Sequence, residues 1–499
     1  MVFEAEKYAD GSPSLVENSS GTGWIPLYWK NCKFDSQIFF KVMMNLIRNP
    51  NVNSSWLFRA DILLEQENPT KEMMVDPSIV QPIFLSFKSM HLDKVLVRKL
   101  IPRNTLRDQP LDQTCLIYHG NASGNVERSM VVYKPHVSSS VDMPFYHPKV
   151  QGIAFLHEWH AENDEGTVSI HYHYFDEEEA AAEEEDRDPK CVRTAFHLLS
   201  ALHKHGEGTK AGYVKKVHHD RIVPQLAMQT TYARLKEKYA RRLIESWAEV
   251  TDPSKHVFED LGIAAFLIEL WADMYRDTPF PGFVDIGCGN GLLVHILQEE
   301  GYSGWGFDAR ERKSWENYSK IISEEPVLKK SLRQHVLLPS IVSRPSNLDD
   351  KGGIDSDNII HDGLFPQGTF IISNHADELT PWTPILATIS DCPFIMIPCC
   401  SHDLTGARFR APAPKNQNKS PSQYSSLVEW VIKIGADCGW EIEKEMLRIP
   451  STRNTGLIGR KRICSSSSVD IQEIVAKYGG TAGFADNVMK LTVSTSKGH

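Results

Sequence analysis

The sequence predicts an α/β protein: a doubly wound, mostly parallel sheet in its second half, preceded by a mixed α/β N-terminal region with a basic helical extension. Three observations carry this. A short apolar strand, a glycine-rich turn, an apolar helix and a second strand follow in order at 283–286 (FVDI), 287–291 (GCGNG), 292–297 (LLVHIL) and 304–308 (GWGFD), the opening of a βαβ unit. Short, strand-like apolar runs mixed with turn signals occur in the first third, at 94–97 (KVLV) and 130–133 (MVVY). Between them, from 192 to 247, the apolar spacing turns helical.

At 499 residues the chain is too long for one core, and we expect divisions at 1–175 (mixed α/β), 176–189 (acidic linker), 190–250 (basic helical segment), 251–464 (catalytic-type α/β domain) and 465–499 (tail). With 41% apolar and 24% charged residues the composition is that of a globular protein. The N-terminus MVFEAEKYADGSPS lacks the basic and apolar regions of a secretory signal, and no apolar run approaches a membrane span, so a cytoplasmic protein without a membrane partner is expected. Nine cysteines without C-x-x-C spacing read as reduced structural thiols.

The net charge of −10 argues against a polyanion partner only until it is divided along the chain. Residues 176–188 hold nine carboxylates against one arginine, whereas 190–243 hold twelve lysines and arginines against three carboxylates. Like charges repel, so EEEAAAEEEDRD reads as a solvated helix or connector. In the basic stretch, Ala195, Leu198, Leu199 and Leu202 share one helix face, as do Tyr232, Leu235, Tyr239 and Leu243. Arg234, Lys238, Arg241 and Arg242 occupy the other faces, either as a solvated surface or as a ridge contacting phosphates. A further helix starts at Thr251-Asp252-Pro253, a polar cap followed by proline, and carries the stripe Phe258, Leu261, Ala265, Ile268, Trp271 and Tyr275.

In a doubly wound sheet the ligand lies across the carboxyl ends of the strands, so the glycine turn and Asp308 face one crevice. A dinucleotide fingerprint needs a third glycine where this chain has Leu292, and the observed G-x-G-x-G favours S-adenosyl-L-methionine instead. We expect Asp285 to organise the methionine ammonium, the backbone of Gly287, Gly289 and Gly291 to give close approach, and Asp308 to accept from both ribose hydroxyls. His295 reads as a packed histidine.

The segment 369–378 (TFIISNHADE) reads as a strand ending in polar groups where an acceptor would meet the cofactor. His375, Asp377 and Glu378 are the catalytic candidates, with Asp377 or His375 as proton acceptor and Asn374 orienting a hydroxyl or a cofactor group. The alternative is that Asp377 caps the next helix and Glu378 serves as its first-turn carboxylate. A later strand at 394–398 delivers Cys399, Cys400 and His402, but a closed zinc site needs four well-spread ligands, and we expect no metal. Arg448 and Arg453 follow, suited to phosphates.

Ten stretches resemble the fungal and animal S-adenosyl-L-methionine-dependent tRNA (uracil-O(2)-)-methyltransferases. They include RKLIPRN (98–104), PFYHPKV (144–150), LHKHGEG (202–208), KVHHDRIVP (216–224), DIGCGNGLLVHIL (285–297), GWGFDARERKSW (304–315), NHADELTPW (374–382) and LRIPSTRN (447–454). The resemblance spans most of the chain and implies 2′-O-methylation of a uridine in tRNA, uridine 44 of serine tRNAs. Some animal members look extended by a Cys3His zinc finger, and this chain ends in KLTVSTSKGH, so the RNA grip is expected elsewhere. The expected set is Arg234, Lys238, Arg241 and Arg242 with Arg310, Arg312 and Lys313 at the pocket rim and Arg448 and Arg453 beyond. No Lys-Asp-Lys-Glu set of other ribose methyltransferases is present, and the general base stays unassigned. Two rival readings are an enzyme of the same fold acting on a base or a protein side chain, and a catalytically silent tRNA-binding module.

Overall fold

A computed structural model describes residues 3–18, 23–70, 73, 75–105, 107–122, 126–182, 186–213, 219–324, 327–342, 359–413 and 422–493. The chain divides into two units, Met1–Lys215 and Lys216–His499.

The first unit is built on eight strands: β1 (Glu6–Lys7), β2 (Ile25–Cys32), β3 (Leu57–Glu67), β4 (Met90–Pro102), β5 (Leu111–Ala122), β6 (Val126–Pro135), β7 (Gly152–His160) and β8 (Glu165–His173). They form one antiparallel sheet in the order β1-β2-β8-β7-β6-β5-β4-β3, in which β3 to β8 follow one another as a meander. The two apolar runs noted in the sequence lie in β4 and β6. Helix α1 (Ser36–Arg48), capped by the Asp35 side chain, presents Phe39, Val42, Met43, Leu46 and Ile47 at helical spacing. These join Phe155 and Ile170 of the sheet and Leu199 of a later helix in one core.

The acidic stretch is more structured than its charge suggests. Asp176 caps the short helix α2 (Glu177–Ala181), and 183–185 lie outside the described residues. Arg187, counted as part of a solvated connector, is buried, its guanidinium beside the Tyr174 ring. Asp188 caps α3 (Pro189–Lys210), whose Pro189 needs no N–H partner in the first turn.

In the second unit the basic stretch ends on α4 (Gln225–Glu245), whose Leu235, Tyr239 and Leu243 face the core as the periodicity predicted. The segment 190–250, expected as one piece, is therefore shared between two units, because α3 buries Leu198, Leu199 and Leu202 in the first core and α4 buries its stripe in the second. Helix α5 (Pro253–Met274) starts at the expected Asp252–Pro253 cap.

The remaining elements are β9 (Phe283–Ile286), α6 (Leu292–Glu299), β10 (Gly304–Asp308), α7 (Trp315–Tyr318), β11 (Ile321–Glu324), β12 (Val327–Lys330), β13 (Leu332–Gln334), β14 (Val336–Leu337) and β15 (Ile360–His361). After them come β16 (Phe370–Asn374), α8 (Thr383–Ile389), β17 (Phe394–Ile397), α9 (Gln423–Asp437), β18 (Trp440–Met446), β19 (Thr455–Arg462), α10 (Ile471–Lys477) and α11 (Phe484–Val493). Seven strands make the sheet β13-β10-β9-β16-β17-β19-β18, parallel from β13 to β17, with β19 antiparallel to both of its neighbours. The chain leaves β9 toward β10 on one side and returns through β16 on the other. That reversal opens a crevice at the carboxyl ends of β9 and β16.

Within the segment expected as a tail, residues 465–493 contribute to the second unit's core. Ile474, Val475, Phe484 and Val488 are buried in the second unit's core, and the Phe484 ring lies 5.0 Å from that of Trp382. No helix among the described residues is long and apolar enough to cross a membrane.

Candidate active site

The crevice begins where β9 runs out. The N–H groups of Gly287 and Cys288 both donate to the Phe307 carbonyl, at 2.8 and 2.9 Å, which turns the chain sharply off the strand. Gly287, Gly289 and Gly291 all have positive φ, as such a turn requires. A Cβ on Gly287 would come within 3.0 Å of the Ala376 Cβ across the cleft, whereas one on Gly289 would meet open space. Gly291 differs from expectation: it caps α6 and abuts Leu332, so it shapes the turn and does not line the crevice.

Side chains from the GFDARERKSW stretch lock the turn from outside. Trp315 Nε1 donates to the Gly289 carbonyl at 2.9 Å, and Ser314 Oγ donates to the Asn290 carbonyl at 2.8 Å. Asp308, at the end of β10, accepts from Gly289 N at 3.0 Å and from Arg310 N at 3.2 Å. It thus holds the turn as well as facing the crevice, and a carboxylate with about four acceptor positions retains capacity for ribose hydroxyls.

The cavity is about 860 Å³, within the usual range for a small-molecule site. Its walls bring together Asp285, Gly287, Gly289, Asp308 and Asn374 from the expected cofactor side and His375, Asp377 and Glu378 from the acceptor side. Arg310, Arg312, Lys313 and Arg453 also border it. His295 is stacked on Tyr318 with ring centroids 4.9 Å apart, a packed histidine as read from sequence.

Four of the proposed RNA contacts are engaged elsewhere. Arg234 and Lys238 both pair with Glu300, at 2.6 and 2.9 Å, Arg241 pairs with Glu245 on its own helix at 2.9 Å, and Arg448 makes a two-pronged pair with Asp220. Arg242 lies 5.7 Å from the Tyr239 ring centre. The α4 ridge is therefore largely neutralised by carboxylates of its own unit, which a count of basic residues along the chain does not register.

The sequence reading missed the contribution of α5, which puts Lys255, His256, Glu259 and Asp260 on the crevice wall. Two adjacent carboxylates inside the apolar run that follows His256 were the available signal. Glu259 accepts from His375 Nε2 at 3.1 Å. Burial works to raise the Glu259 carboxyl, but hydrogen bonding and charge from His375 hold it below its ordinary value. Burial likewise disfavours charge on His375, yet hydrogen bonds to Cys399 and Glu259 raise the ring to about 9. His375 raised in this way is a poor proton acceptor at neutral pH, which weighs against the expectation of it in that role. It also stands at φ +52, a left-handed conformation unusual for a non-glycine residue and found where a site over-determines its backbone.

Asp377 does not cap the next helix. It opens a single 3-10 turn, Asp377–Leu379, and its Oδ1 accepts from Cys400 N at 3.3 Å. Glu378 Oε1 lies 3.7 Å from His402 Nε2. Asp377, Cys399 and Cys400 hold ligand-type atoms within 4.8 Å of one another. Two of these three donors are consecutive in the chain, which is short of the four spread ligands of a closed zinc site. Burial, followed by the charge of Asp377, pushes the Cys400 thiol up to about 12.

The chemistry of the floor fits S-adenosyl-L-methionine. Asp260 is raised to about 7 by burial and by Glu259, and Asp285 well above its ordinary range by burial, Asp260 and Asp308. Asp285 Oδ1 and Asn374 Oδ1 are buried without a hydrogen-bond partner. A cavity that crowds carboxylates and leaves one of their oxygens unpaired suits a ligand bearing an ammonium and a sulfonium.

Comparison with known proteins bears on the same residues. A family model described as "TRM44-like, N-terminal bet v1-like domain" matches residues 6–216, and one described as "Predicted AdoMet-dependent methyltransferase" matches residues 222–334. A tRNA (uracil-O(2)-)-methyltransferase of Neurospora crassa is 58% identical, covering 99% of this chain and 98% of its own. The chain belongs to the tRNA (uracil-O(2)-)-methyltransferase family. Members from Schizosaccharomyces pombe (39% identical, 98% of this chain and 96% of theirs) and Saccharomyces cerevisiae (37%, 99% and 97%) are similar over equally full lengths. No solved structure matches the chain significantly. Membership in this family makes S-adenosyl-L-methionine the cofactor, and the methyltransferase model covers β9, the glycine turn, β10 and Asp308.

Proposed function

We propose that this crevice transfers a methyl group from S-adenosyl-L-methionine to the ribose 2′-hydroxyl of a uridine in tRNA, and that the uridine is position 44 of serine tRNAs. The observation that carries the reading is the crevice at the β9–β16 reversal, lined by Asp260 and Asp285 with Asp285 Oδ1 unpaired, in a chain whose relatives are named tRNA (uracil-O(2)-)-methyltransferases. The strand order, with one antiparallel hairpin closing an otherwise parallel sheet, supports a class I, Rossmann-like methyltransferase fold.

When bound, the cofactor supplies the methyl as a sulfonium electrophile. The chain supplies the rest. The turn 287–291 and Asp308 hold the nucleoside, and Asp285 with Asp260 faces its positive groups. His375, kept cationic and fixed by Glu259, orients the acceptor side and takes no proton. The proton of the weakly acidic hydroxyl then passes to Asp377 or Glu378, the carboxylates remaining on that wall. Arg310, Arg312, Lys313 and Arg453 meet the phosphates around the target.

Incubation of the protein with isotopically labelled cofactor and total tRNA, followed by nuclease digestion and mass spectrometry, tests this. The expected product is a 2′-O-methyluridine, recognised by its resistance to alkaline cleavage of the following phosphodiester. A methyl on a base edge or on protein would overturn the acceptor assignment.

A further inference from the structure

One surface of the first unit is left unexplained by the crevice. Trp56, just before β3, and Phe145, in the loop before β7, are 43% and 53% exposed, and their rings meet edge to face with centroids 5.3 Å apart. Single exposed aromatics are ordinary, but two in contact with each other are a patch. Cations bracket this one at both ends. Arg107 lies 5.6 Å from the centre of Trp56, and Lys190 at the start of α3 lies 3.6 Å from the centre of Phe145, its ammonium also donating to the Phe145 carbonyl.

More positive charge flanks the pair. Arg103, exposed, is tied to the patch by its own N–H, which donates to the Trp56 carbonyl at 2.9 Å. Lys149, also exposed, is close enough for its charge to act on Lys190. Two carboxylates, Asp188 and Asp108, also act on Lys190. Asp108 is buried, and Asp188 is turned onto the first turn of α3, accepting from Lys190 N and from Cys191 Sγ.

We propose that the Trp56–Phe145 edge is an RNA-binding platform on which an unpaired base of the tRNA stacks while Arg103, Arg107 and Lys149 hold the flanking phosphates. Aromatic faces interleaved with arginine and lysine are what single-stranded RNA requires, because every base offers a π-face and every linkage a negative charge. The core of a protein interface is depleted in charge, whereas here Arg107 and Lys190 lie directly against the two rings and Arg103 and Lys149 flank them. The inference rests on the tRNA methylation proposed above and goes beyond it, since these residues lie in the other unit of the chain from the crevice.

The test uses the full-length protein and a tRNA transcript. The double variant Trp56→Ala, Phe145→Ala is expected to bind tRNA about tenfold more weakly, the effect of losing one stacked base, with its affinity for S-adenosyl-L-methionine unchanged by calorimetry. The variant Arg103→Glu, Arg107→Glu leaves both rings in place. It is expected to lose affinity and to flatten the salt dependence of binding. Photocrosslinking with 4-thiouridine-substituted tRNA is expected to mark the peptides containing residues 56 or 145. If the wild-type protein methylates tRNA and both variants bind it with wild-type affinity, the platform is refuted and the crevice reading stands. If instead the ring variant changes the particle mass in light scattering without changing tRNA affinity, the patch is a protein interface and the proposal fails. A wild-type protein that neither binds nor methylates tRNA overturns both readings.

Discussion

Glu259 on α5 and His375 after β16, 116 residues apart in sequence, form an ion pair of 3.1 Å across the crevice wall. Hydrogen bonds to Cys399 and to Glu259, with the charge of Glu259, raise the buried ring from 6.5 to about 9. Between those two values the folded protein holds a proton that the unfolded chain releases, so this contribution to stability is full below pH 6.5 and is lost as pH rises through about 9. Glu259→Gln is expected to flatten that alkaline fall and to cost about 1–3 kcal/mol at neutral pH, as expected when a buried charge loses its partner. Denaturant melts of both proteins across that range check it. An unchanged alkaline fall in the variant would detach the effect from this pair.

Cofactor binding should be linked to protons. Asp260, near 7, is protonated in the free crevice at mildly acid pH, and burial with the charges of Asp260 and Asp308 raises Asp285 well above its ordinary range, with Glu259 and His375 as further neighbours of Asp260. A cationic ligand favours the ionised carboxylates, so affinity for S-adenosyl-L-methionine should rise with pH through about 7 as Asp260 ionises, with release of a proton on binding below that pH. Titration calorimetry in two buffers of different ionisation enthalpy measures the released proton directly, and Asp260→Asn should reduce it. Equal apparent enthalpies in both buffers below pH 7 would contradict the linkage.

What the sequence disclosed was whatever is local. The 287–291 turn, Asp308 only 19 residues from Gly289 and the Asp252–Pro253 cap are each written in one short stretch, with a spacing that a single strand or helix imposes. The Glu259–His375 pair is not, because nothing in either neighbourhood names the other. The same blindness overrated α4: Arg234 and Lys238 are basic and correctly placed on a helix face, but Glu300, 62 residues beyond Lys238, neutralises both. Residues 465–493 read as a tail since their few apolar side chains are spread over two short helices, and only the packing of Phe484 on Trp382 shows them to be core.

Asp308→Ala removes an acceptor of the Gly289 N–H as well as a wall of the crevice. A hydrogen bond to a charged group contributes about 1.5–3 kcal/mol, so affinity for the cofactor should fall roughly tenfold to a hundredfold. Calorimetry showing normal affinity would remove Asp308 from the cofactor site.

The two glycines bordering the crevice should respond differently to a methyl group. Gly287→Ala must hold φ +74 and place its Cβ 3.0 Å from Ala376, a conformational cost of about 1–2 kcal/mol with crowding between the ends of β9 and β16 added. Gly289→Ala pays the conformational cost at φ +52 but meets no atom within 4 Å. Thermal melts should therefore rank Gly287→Ala as the less stable, and the opposite order would show that the cleft relaxes around Ala376.

Substitutions of basic residues should separate stability from RNA affinity. Arg234→Ala with Lys238→Ala strips both cations from Glu300, whose side chain is 7% exposed, and is expected to cost about 1–3 kcal/mol of stability while barely changing tRNA binding. Arg312→Ala with Lys313→Ala acts on residues that border the crevice, and is expected to weaken tRNA binding and lower the slope of log affinity against log salt by about one per lost phosphate contact. Anisotropy titrations over a range of salt, paired with melts, read both quantities on the same preparations. The two pairs carry equal charge, so equal loss of RNA affinity would mean that net charge rather than position holds the tRNA, and the α4 ridge would then return as part of the RNA surface.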